Sequence, residues 1–543
     1  MAVVEFDYNE LCMFAGKKIP REELGSAISM LGMPVEETKG DTFFVEVTPN
    51  RVDLLSVEGM GRALSSFLGI KTGLREYSAR PSGIELFVDK SVQEVRPFIV
   101  AALVRNIKID EGTIKSLMQV QEKIHDTFGR KRKKIAIGVH NLDVLNPPFY
   151  YKAVKPREVR FVPLDTNKEM DLDEILRAHP KGIDYAHILK GHPRYPIIVD
   201  SKNNVLSFPP IINGELTRVT EKTRNLFIDM TGTHIESLGY ALNVLCTSLS
   251  DRGGEILSVK IGNRNFPELK PNAMKTKTSS MNALLGSNFS SVEAKKLLEK
   301  MGYEVEARAD ELTARIPCYR ADVLDEVDVF EDAAIAFDYN KFEPTLPDFF
   351  SIGEKIDDGG VRTAMVGLGF VEAMCWTLTN KDTNFGYMLV DSYPCVEIAN
   401  PLTRDFTMVR TWLLPSLLSV LRENRHEKMP QRLFEFGDAM LLENGRAKRV
   451  KTLCAVSIHA NATFSEMKSI VEAVLYELGM KCELKGASRP SFIKGRAASI
   501  NDGDKEIGIF GEIDPQVLVN FDLEQPVVAL ELHGIPVVLH VHD

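Results

Sequence analysis

The chain lacks the features that would place a protein outside the cell or across a membrane. It has no C-x-x-C pair, and its seven cysteines, Cys12, Cys246, Cys318, Cys375, Cys395, Cys454 and Cys482, are odd in number and scattered. Neither a disulfide framework nor a cysteine zinc site is expected, and a reducing, cytoplasmic setting fits. No apolar run approaches the roughly 18 residues of a membrane span, so no membrane association is expected. The opening MAVVEFDYNE lacks the charged-then-apolar layout of a signal peptide. Low-complexity tracts and short repeats are missing, which argues against a solenoid. A G-x-S-x-G elbow and a Ser-His-Asp arrangement are missing too, so any hydrolysis would rest on water positioning and hydrogen bonds. A net charge of −10 excludes a protein that is basic all over. Local patches could still meet nucleic acid.

What is present is an ordinary globular composition, 44% hydrophobic and 26% charged, in 543 residues. At roughly 150 residues per domain, that length holds three or four domains. One stretch stands out: RADVLDEVDVFEDAAIAFDY, from Arg320 to Tyr339. Asp328, Glu331 and Asp332 stand at i, i+3 and i+4, so a helix puts all three on one face. Asp322 could reach the same spot from the preceding turn. Like charges so close call for a cation, and oxygen-only ligands suit Mg²⁺ better than zinc. An acidic helix start, favoured by the helix dipole, explains the same pattern without a metal. Asp325 and Glu326 lie off that face.

Periodicity and breakers divide the chain into four expected segments within an α+β, multidomain fold. Residues 1–80 read as a small α+β unit in which Asp53 is a candidate cap for the helix that follows. TGLREYSARPSG is a plausible linker. Residues 84–262 open with strands, pass through an amphipathic helix, and then carry the basic run Arg130, Lys131, Arg132, Lys133 and Lys134. That run suits a phosphate backbone or simply a solvated loop. Residues 268–345 read helix, helix, hairpin, helix, with Ser291 as a cap. Residues 350–543 read as a mainly antiparallel sheet with helices.

A second set of polar residues sits where an apolar strand ends, in Asp229-Met230-Thr231-Gly232-Thr233. Thr231 and Thr233 can donate and accept hydrogen bonds, and Gly232 lets a backbone approach closely. Ser207, Asn213 and Glu215 could line the same pocket, with His140 and Asn141 as weaker candidates. A helix cap is the alternative role for the threonines.

Four stretches carry a family resemblance: TPNRVDLLSVEGMGRAL, FPPIINGELTRVTEKTRNLFIDMTGTH, IPCYRADVLDEVDVFEDAAIAFDYNKF, and ANPLTRDFTMVRTWLLPSLLSVLRENRHE with RLFEFGD. With these the chain resembles phenylalanine–tRNA ligase beta subunits of archaeal and eukaryotic type, over essentially its whole length. The resemblance implies an editing domain at 84–262 that hydrolyses tRNA mischarged with tyrosine. Its pocket would be lined from among Ser207, Asn213, Asp229, Thr231 and Thr233. The resemblance further implies a small winged-helix-like domain at 268–345, with Mg²⁺ ligands Asp322, Asp328, Glu331 and Asp332 shared with an alpha subunit. It implies a degenerate class II synthetase core at 350–543. There the late Gly-rich strand, GIFGEIDPQVLVN, lacks the arginine of a catalytic copy, and an arginine partner for Phe434-Glu435-Phe436-Gly437 is not obvious. ATP-dependent charging would fall to the alpha chain of a two-plus-two tetramer that binds tRNA. The extra C-terminal anticodon-binding domain of bacterial relatives is not expected. A free-standing editing hydrolase and a non-catalytic RNA-binding scaffold are the rival readings.

Overall fold

The computed structural model describes residues 2–346 and 359–534, and the chain divides into two units, Met1–Leu346 and Pro347–Asp543. The expected boundary at 350 lies outside the described residues. No helix among them is long and apolar enough to cross a membrane.

The first unit holds two three-stranded antiparallel sheets, a two-stranded one (Arg160–Phe161 with Met170–Asp171) and a large one. Strands Ala2–Asp7, Thr42–Val47 and Val35–Lys39 form the first small sheet, beside helices Tyr8–Ala15 and Val57–Phe67. Strands Asn272–Lys277, Glu311–Ile316 and Glu304–Arg308 form the second, beside helices Ser291–Lys300 and Glu326–Phe337. One apolar core runs without a break from Val4 and Leu64 through Val104 and Leu245 to Leu298 and Val329. Polar anchors cross it as well. The Arg62 guanidinium donates to Tyr77 Oη at 2.7 Å and to Asp251 at 2.6 Å, and lies over the Tyr319 ring. The segment expected as a linker is thus docked at Tyr77, and its end from Arg80 onward is already strand.

The large sheet has ten strands. Its three neighbouring strands Phe98–Arg105, Leu226–Gly232 and Ile135–Asn141 are antiparallel, with Leu226–Gly232 in the middle and buried at all seven positions. At the other end lie Tyr195–Val199, Val205–Phe208 and Ile212–Asn213. The sheet curls, because the Asn213 side-chain amide reaches the Val139 carbonyl at 3.4 Å and so bridges the two ends. Curling of this kind follows from strand twist and gives a sheet an interior face with little exposed edge.

The second unit is built on a seven-stranded sheet, antiparallel except where Val371–Glu372 runs parallel to Gln431–Glu443. Gln431–Glu443 and Arg446–Ile458 form a long hairpin around Asn444-Gly445, both with positive φ, as a tight two-residue hairpin turn requires. Alternation sends Leu453 and Ala455 to one face, against helix Phe464–Glu477. It sends Cys454 and Val456 to the other, against helix Leu414–Glu423. The buried Glu531 carboxylate accepts the Leu413 and Leu414 amides at the start of that second helix. Arg410 Nη2 meets Glu435 Oε1 at 2.6 Å. Glu435 thus has a buried arginine beside it, Arg410.

Two expected caps move. Ser56, not Asp53, accepts from the Gly59 amide and starts helix Val57–Phe67, while Asp53 is buried and bound by Arg51. Ser290, not Ser291, caps Ser291–Lys300, in a reciprocal box with Glu293. Helix Val57–Phe67 packs so closely on the preceding turn that a Cβ on Gly59 would lie 1.8 Å from the Asp53 carbonyl oxygen. Gly59→Ala is therefore expected to destabilise the first unit by at least about 2 kcal/mol, read as a lower thermal midpoint. An unchanged midpoint would mean that this helix can shift at no cost.

Candidate functional site: a cavity in the curled sheet

The interior face of the curl encloses a cavity of about 490 Å³. That volume is in the range of small-molecule sites. Strand Leu226–Gly232 supplies its floor. The strand is apolar except for Asp229 and Thr231, which stand two apart and so share one face. Both line the cavity, as do Ser207 and Asn213 from the opposite wall. Four of the five expected pocket residues are thus brought together across a sequence gap. Thr233 is not one of them. The strand ends at Gly232, the Thr233 amide turns to the Lys134 carbonyl, and the side chain is exposed. Neither threonine caps the following helix; the His234 side chain does. Glu215 is drawn to the rim, where it pairs with Arg218. Asn141 caps the short turn after its own strand.

Each buried polar group of the floor has a partner. Asp229 Oδ2 lies 2.8 Å from His140 Nε2, and His140 Nδ1 lies 2.8 Å from Thr217 Oγ1. Thr217 Oγ1 in turn is 3.1 Å from the Gly214 carbonyl. His140, on the neighbouring strand, thus orients the carboxylate. This pair passes directly over Gly138, where a Cβ would sit 2.3 Å from Asp229 Oδ2 and 2.6 Å from His140 Nε2. Thr231 Oγ1 accepts from Arg96 Nε at 2.8 Å, so its own hydroxyl proton is left to point elsewhere. Arg96 is fully buried and also donates to the Thr231 and Lys133 carbonyls. Burial pulls its guanidinium down to about 10, against the attraction of Tyr151 and Asp229.

Three buried atoms of the wall make no hydrogen bond, Ser207 Oγ, His125 Nδ1 and Arg132 Nε, although His125 Nδ1 lies 3.7 Å from Glu122 Oε1. His125 accepts the Ile137 amide on Nε2 at 2.8 Å. Burial pushes His125 down to about 4. His125 and the Arg132 guanidinium hold the nearby Glu122 down to about 2. A buried polar atom left unmade costs about 1–3 kcal/mol, so such atoms mark places where a ligand or water completes the bonding. Arg96, Thr217, His125 and Gly138 were not singled out from the sequence. The one available signal was Arg96 standing just ahead of the apolar strand Phe98–Arg105.

The basic run lies against this cavity. Arg130, Lys131 and Arg132 have φ of 51°, 51° and 64°, three successive left-handed residues without glycine. Each costs roughly 1–2 kcal/mol. The turn is held by Arg132, whose buried guanidinium donates to the Ile211 carbonyl and to Glu122, both at 2.8 Å, and stacks on Tyr185.

The acidic stretch is arranged differently from expectation. Asp322 and Asp332 are brought together, but by the buried Arg320. Its Nε and Nη2 meet Asp322 at 2.8 and 2.7 Å, and Nη2 meets Asp332 at 2.7 Å. Tyr303 Oη also donates to Asp332. Asp328 Oδ2 turns back to accept the Leu324 and Asp325 amides, in a capping box with Asp325. Glu331 is exposed and joins none of them. Among the described residues no three His, Cys, Asp or Glu gather in a metal-holding group. Within this chain the four carboxylates are thus not gathered into one site: the Arg320 guanidinium lies between Asp322 and Asp332, Asp328 caps its own helix, and Glu331 stands apart.

A mixed α/β chain with a hydrogen-bonding cavity in one unit and a largely antiparallel seven-stranded sheet in the other has the build of a tRNA synthetase chain, and family models match it in that order. The B3/4 domain matches residues 90–245, the tRNA synthetase B5 domain 274–339, and the phenylalanyl tRNA synthetase beta chain CLM domain 355–533. The phenylalanine–tRNA ligase beta subunit of Methanospirillum hungatei is 42% identical over 98% of this chain and 97% of its own length. That of Archaeoglobus fulgidus is 43% identical over 98% of each. The crystal structure of an N-terminal fragment of the phenylalanyl-tRNA synthetase beta subunit from Pyrococcus horikoshii is 37% identical, with a TM-score of 0.59. It covers 62% of this chain and 99% of that fragment. The chain belongs to the phenylalanine–tRNA ligase beta-subunit family.

Arg320→Met should expose the nature of the acidic cluster. Two buried carboxylates would lose their cation, and stability should fall by about 3–5 kcal/mol in denaturant titration. In the intact protein, burial raises the Asp322 carboxyl, but Arg320 and Arg51 outweigh it and hold it below its ordinary value. The stability this pairing contributes is fully present above about pH 4 and is lost as pH falls through the lower folded-state value. Mg²⁺ or chelator should leave the thermal midpoint of the wild-type chain unchanged; a clear rise with Mg²⁺ would restore the metal reading.

Proposed function

We propose that the chain is the beta subunit of an alpha–beta phenylalanine–tRNA ligase and that its cavity hydrolyses tRNA mischarged with tyrosine. The observation that carries this reading is the orphaned Ser207 hydroxyl in a cavity whose other wall holds Asp229 and Thr231. Tyrosine differs from phenylalanine by one phenolic hydroxyl. A site with a buried, unpaired hydrogen-bonding group favours the ligand that pairs it and rejects the analogue that does not. Such a site sorts the two amino acids in the direction that editing needs.

The chemistry is that of a positioned water. Ser207 has no base within hydrogen-bond reach and is not an activated nucleophile. Thr231, its oxygen engaged by Arg96, is left with a proton to donate. Asp229, fixed by His140, is an acceptor on the same face. A water held by these two is oriented toward an ester entering above them, and the gain is one of proximity and orientation. Arg96 adds a fixed positive charge behind Thr231, where it favours negative charge developing on the ester oxygen.

The Pro347–Asp543 unit serves as a non-activating counterpart of a catalytic core, and the ATP- and Mg²⁺-dependent charging step belongs to the alpha chain. Met374 is 96%, Trp376 79% and Leu402 101% exposed, an apolar set that a partner chain would cover. A two-plus-two tetramer is the assembly this reading implies.

In the purified alpha–beta complex, Thr231→Val and Ser207→Ala should each lower the rate of tyrosyl-tRNA deacylation at least about tenfold, with phenylalanine charging unchanged. Equal loss of both activities would indicate a folding defect and sink the assignment. No deacylation by the wild-type complex would leave the RNA-binding scaffold. Full deacylation by this chain without its partner would point to a free-standing hydrolase.

A further inference from the structure

The strained basic turn beside the cavity has no task in the reading above. Its side chains are sorted. Arg132 is buried and anchors the turn, while Arg130, Lys131 and Lys133 are exposed. Among the described residues none of these three exposed cations is in an ion pair, although the chain as a whole carries a net charge of −10. The turn is wired to the floor of the cavity. Arg96 binds the Thr231 hydroxyl with one nitrogen and the Lys133 carbonyl with another, and the Lys134 carbonyl accepts the Thr233 amide. The next residues, Ala136 and Ile137, line the cavity. Backbone strain of this kind persists only where the surroundings over-determine it, and it clusters at functional sites. Here the Arg132 anchor forces it, and the result is three unpaired cations held beside the cavity.

We propose that Arg130, Lys131 and Lys133 bind backbone phosphates of the single-stranded acceptor end of tRNA and so deliver its esterified terminus to the cavity. This rests on the hydrolytic reading of the cavity and adds to it the surface that receives the nucleic acid. The acceptor end is a polyanion, and unpaired Arg and Lys side chains contact phosphates without reading sequence. Arg132 is excluded from that role because its guanidinium is already committed to Ile211 and Glu122. Lys134 contributes less, since it is half-buried and lies over the Phe128 ring.

The test uses the alpha–beta complex and two substrates, tyrosyl-tRNA and tyrosyl-adenosine, the second having the same ester but no phosphate. The R130Q/K131Q/K133Q variant should lose at least about tenfold in kcat/KM on tyrosyl-tRNA. Its log–log dependence on salt should become shallower by about 2, the share of three single-strand phosphate contacts. Hydrolysis of tyrosyl-adenosine should stay at the wild-type rate, and R130K/K131R/K133R should recover the activity on tRNA. Wild-type rate and salt slope on tyrosyl-tRNA in the glutamine variant would overturn the proposal. So would an equal loss on both substrates, which would assign the turn to folding. A wild-type complex inactive on both substrates would overturn the hydrolytic reading itself, and this proposal with it.

Discussion

The cavity depends on one constraint: Asp229 and Thr231 sit in a strand buried at every position. Neither can stay there unpaired, because burial of an unsatisfied polar group costs several kcal/mol. Their partners come from the strand's surroundings, His140 for Asp229 and Arg96 for Thr231. Those partners impose further conditions. Gly138 must be glycine because the Asp229–His140 bond passes over it. Arg96, a cation in an apolar interior, needs the Thr231 and Lys133 carbonyls to stay there. The polar floor, the neighbouring strand and the basic turn are thus tied into one network, and a change at one member reaches the others. Networks of this kind are rigid when fully satisfied.

The acidic cluster follows the same logic with the opposite sign. Asp322 and Asp332 are anions in the interior of the first unit, and Arg320 with Arg51 neutralises them. Read as a pattern of carboxylates alone, this stretch asks for a cation. The chain supplies one covalently, two residues upstream of Asp322. The arginine was visible in the sequence as Arg320, but sequence spacing cannot tell which way a long side chain turns.

Much of the candidate site was legible. Asp229, Thr231 and Thr233 stood out at the end of an apolar strand, and Ser207 and Asn213 as possible lining of the same pocket; in the structure strand alternation puts Asp229 and Thr231 on one face. Thr233 failed because alternation holds only while the strand lasts, and this strand ends at Gly232. Arg96 escaped notice because its partner is non-local: it meets Thr231 from 135 residues away. The two shifted caps, Ser56 and Ser290, miss by a few residues, where competing polar side chains near a helix start decide the matter locally. The docking of Tyr77 into a core shared by the whole first unit was not legible either, because a segment rich in Gly and Pro reads as a connector whatever it touches.

The placement of Leu226–Gly232 between Phe98–Arg105 and Ile135–Asn141 has a consequence in time. Both flanking strands leave the ribosome well before the strand that must join them. At about 5–20 residues per second, the nascent chain waits several seconds with two apolar strand edges open. Only the late insertion of the central strand seals them, and it carries Asp229 and Thr231 with it. Long-range pairings of this kind form slowly. The floor of the cavity is thus set late into its sheet, ahead of only Glu255–Ile261 and Arg264–Phe266, and a chain truncated before Leu226 would lack that floor and be prone to aggregate.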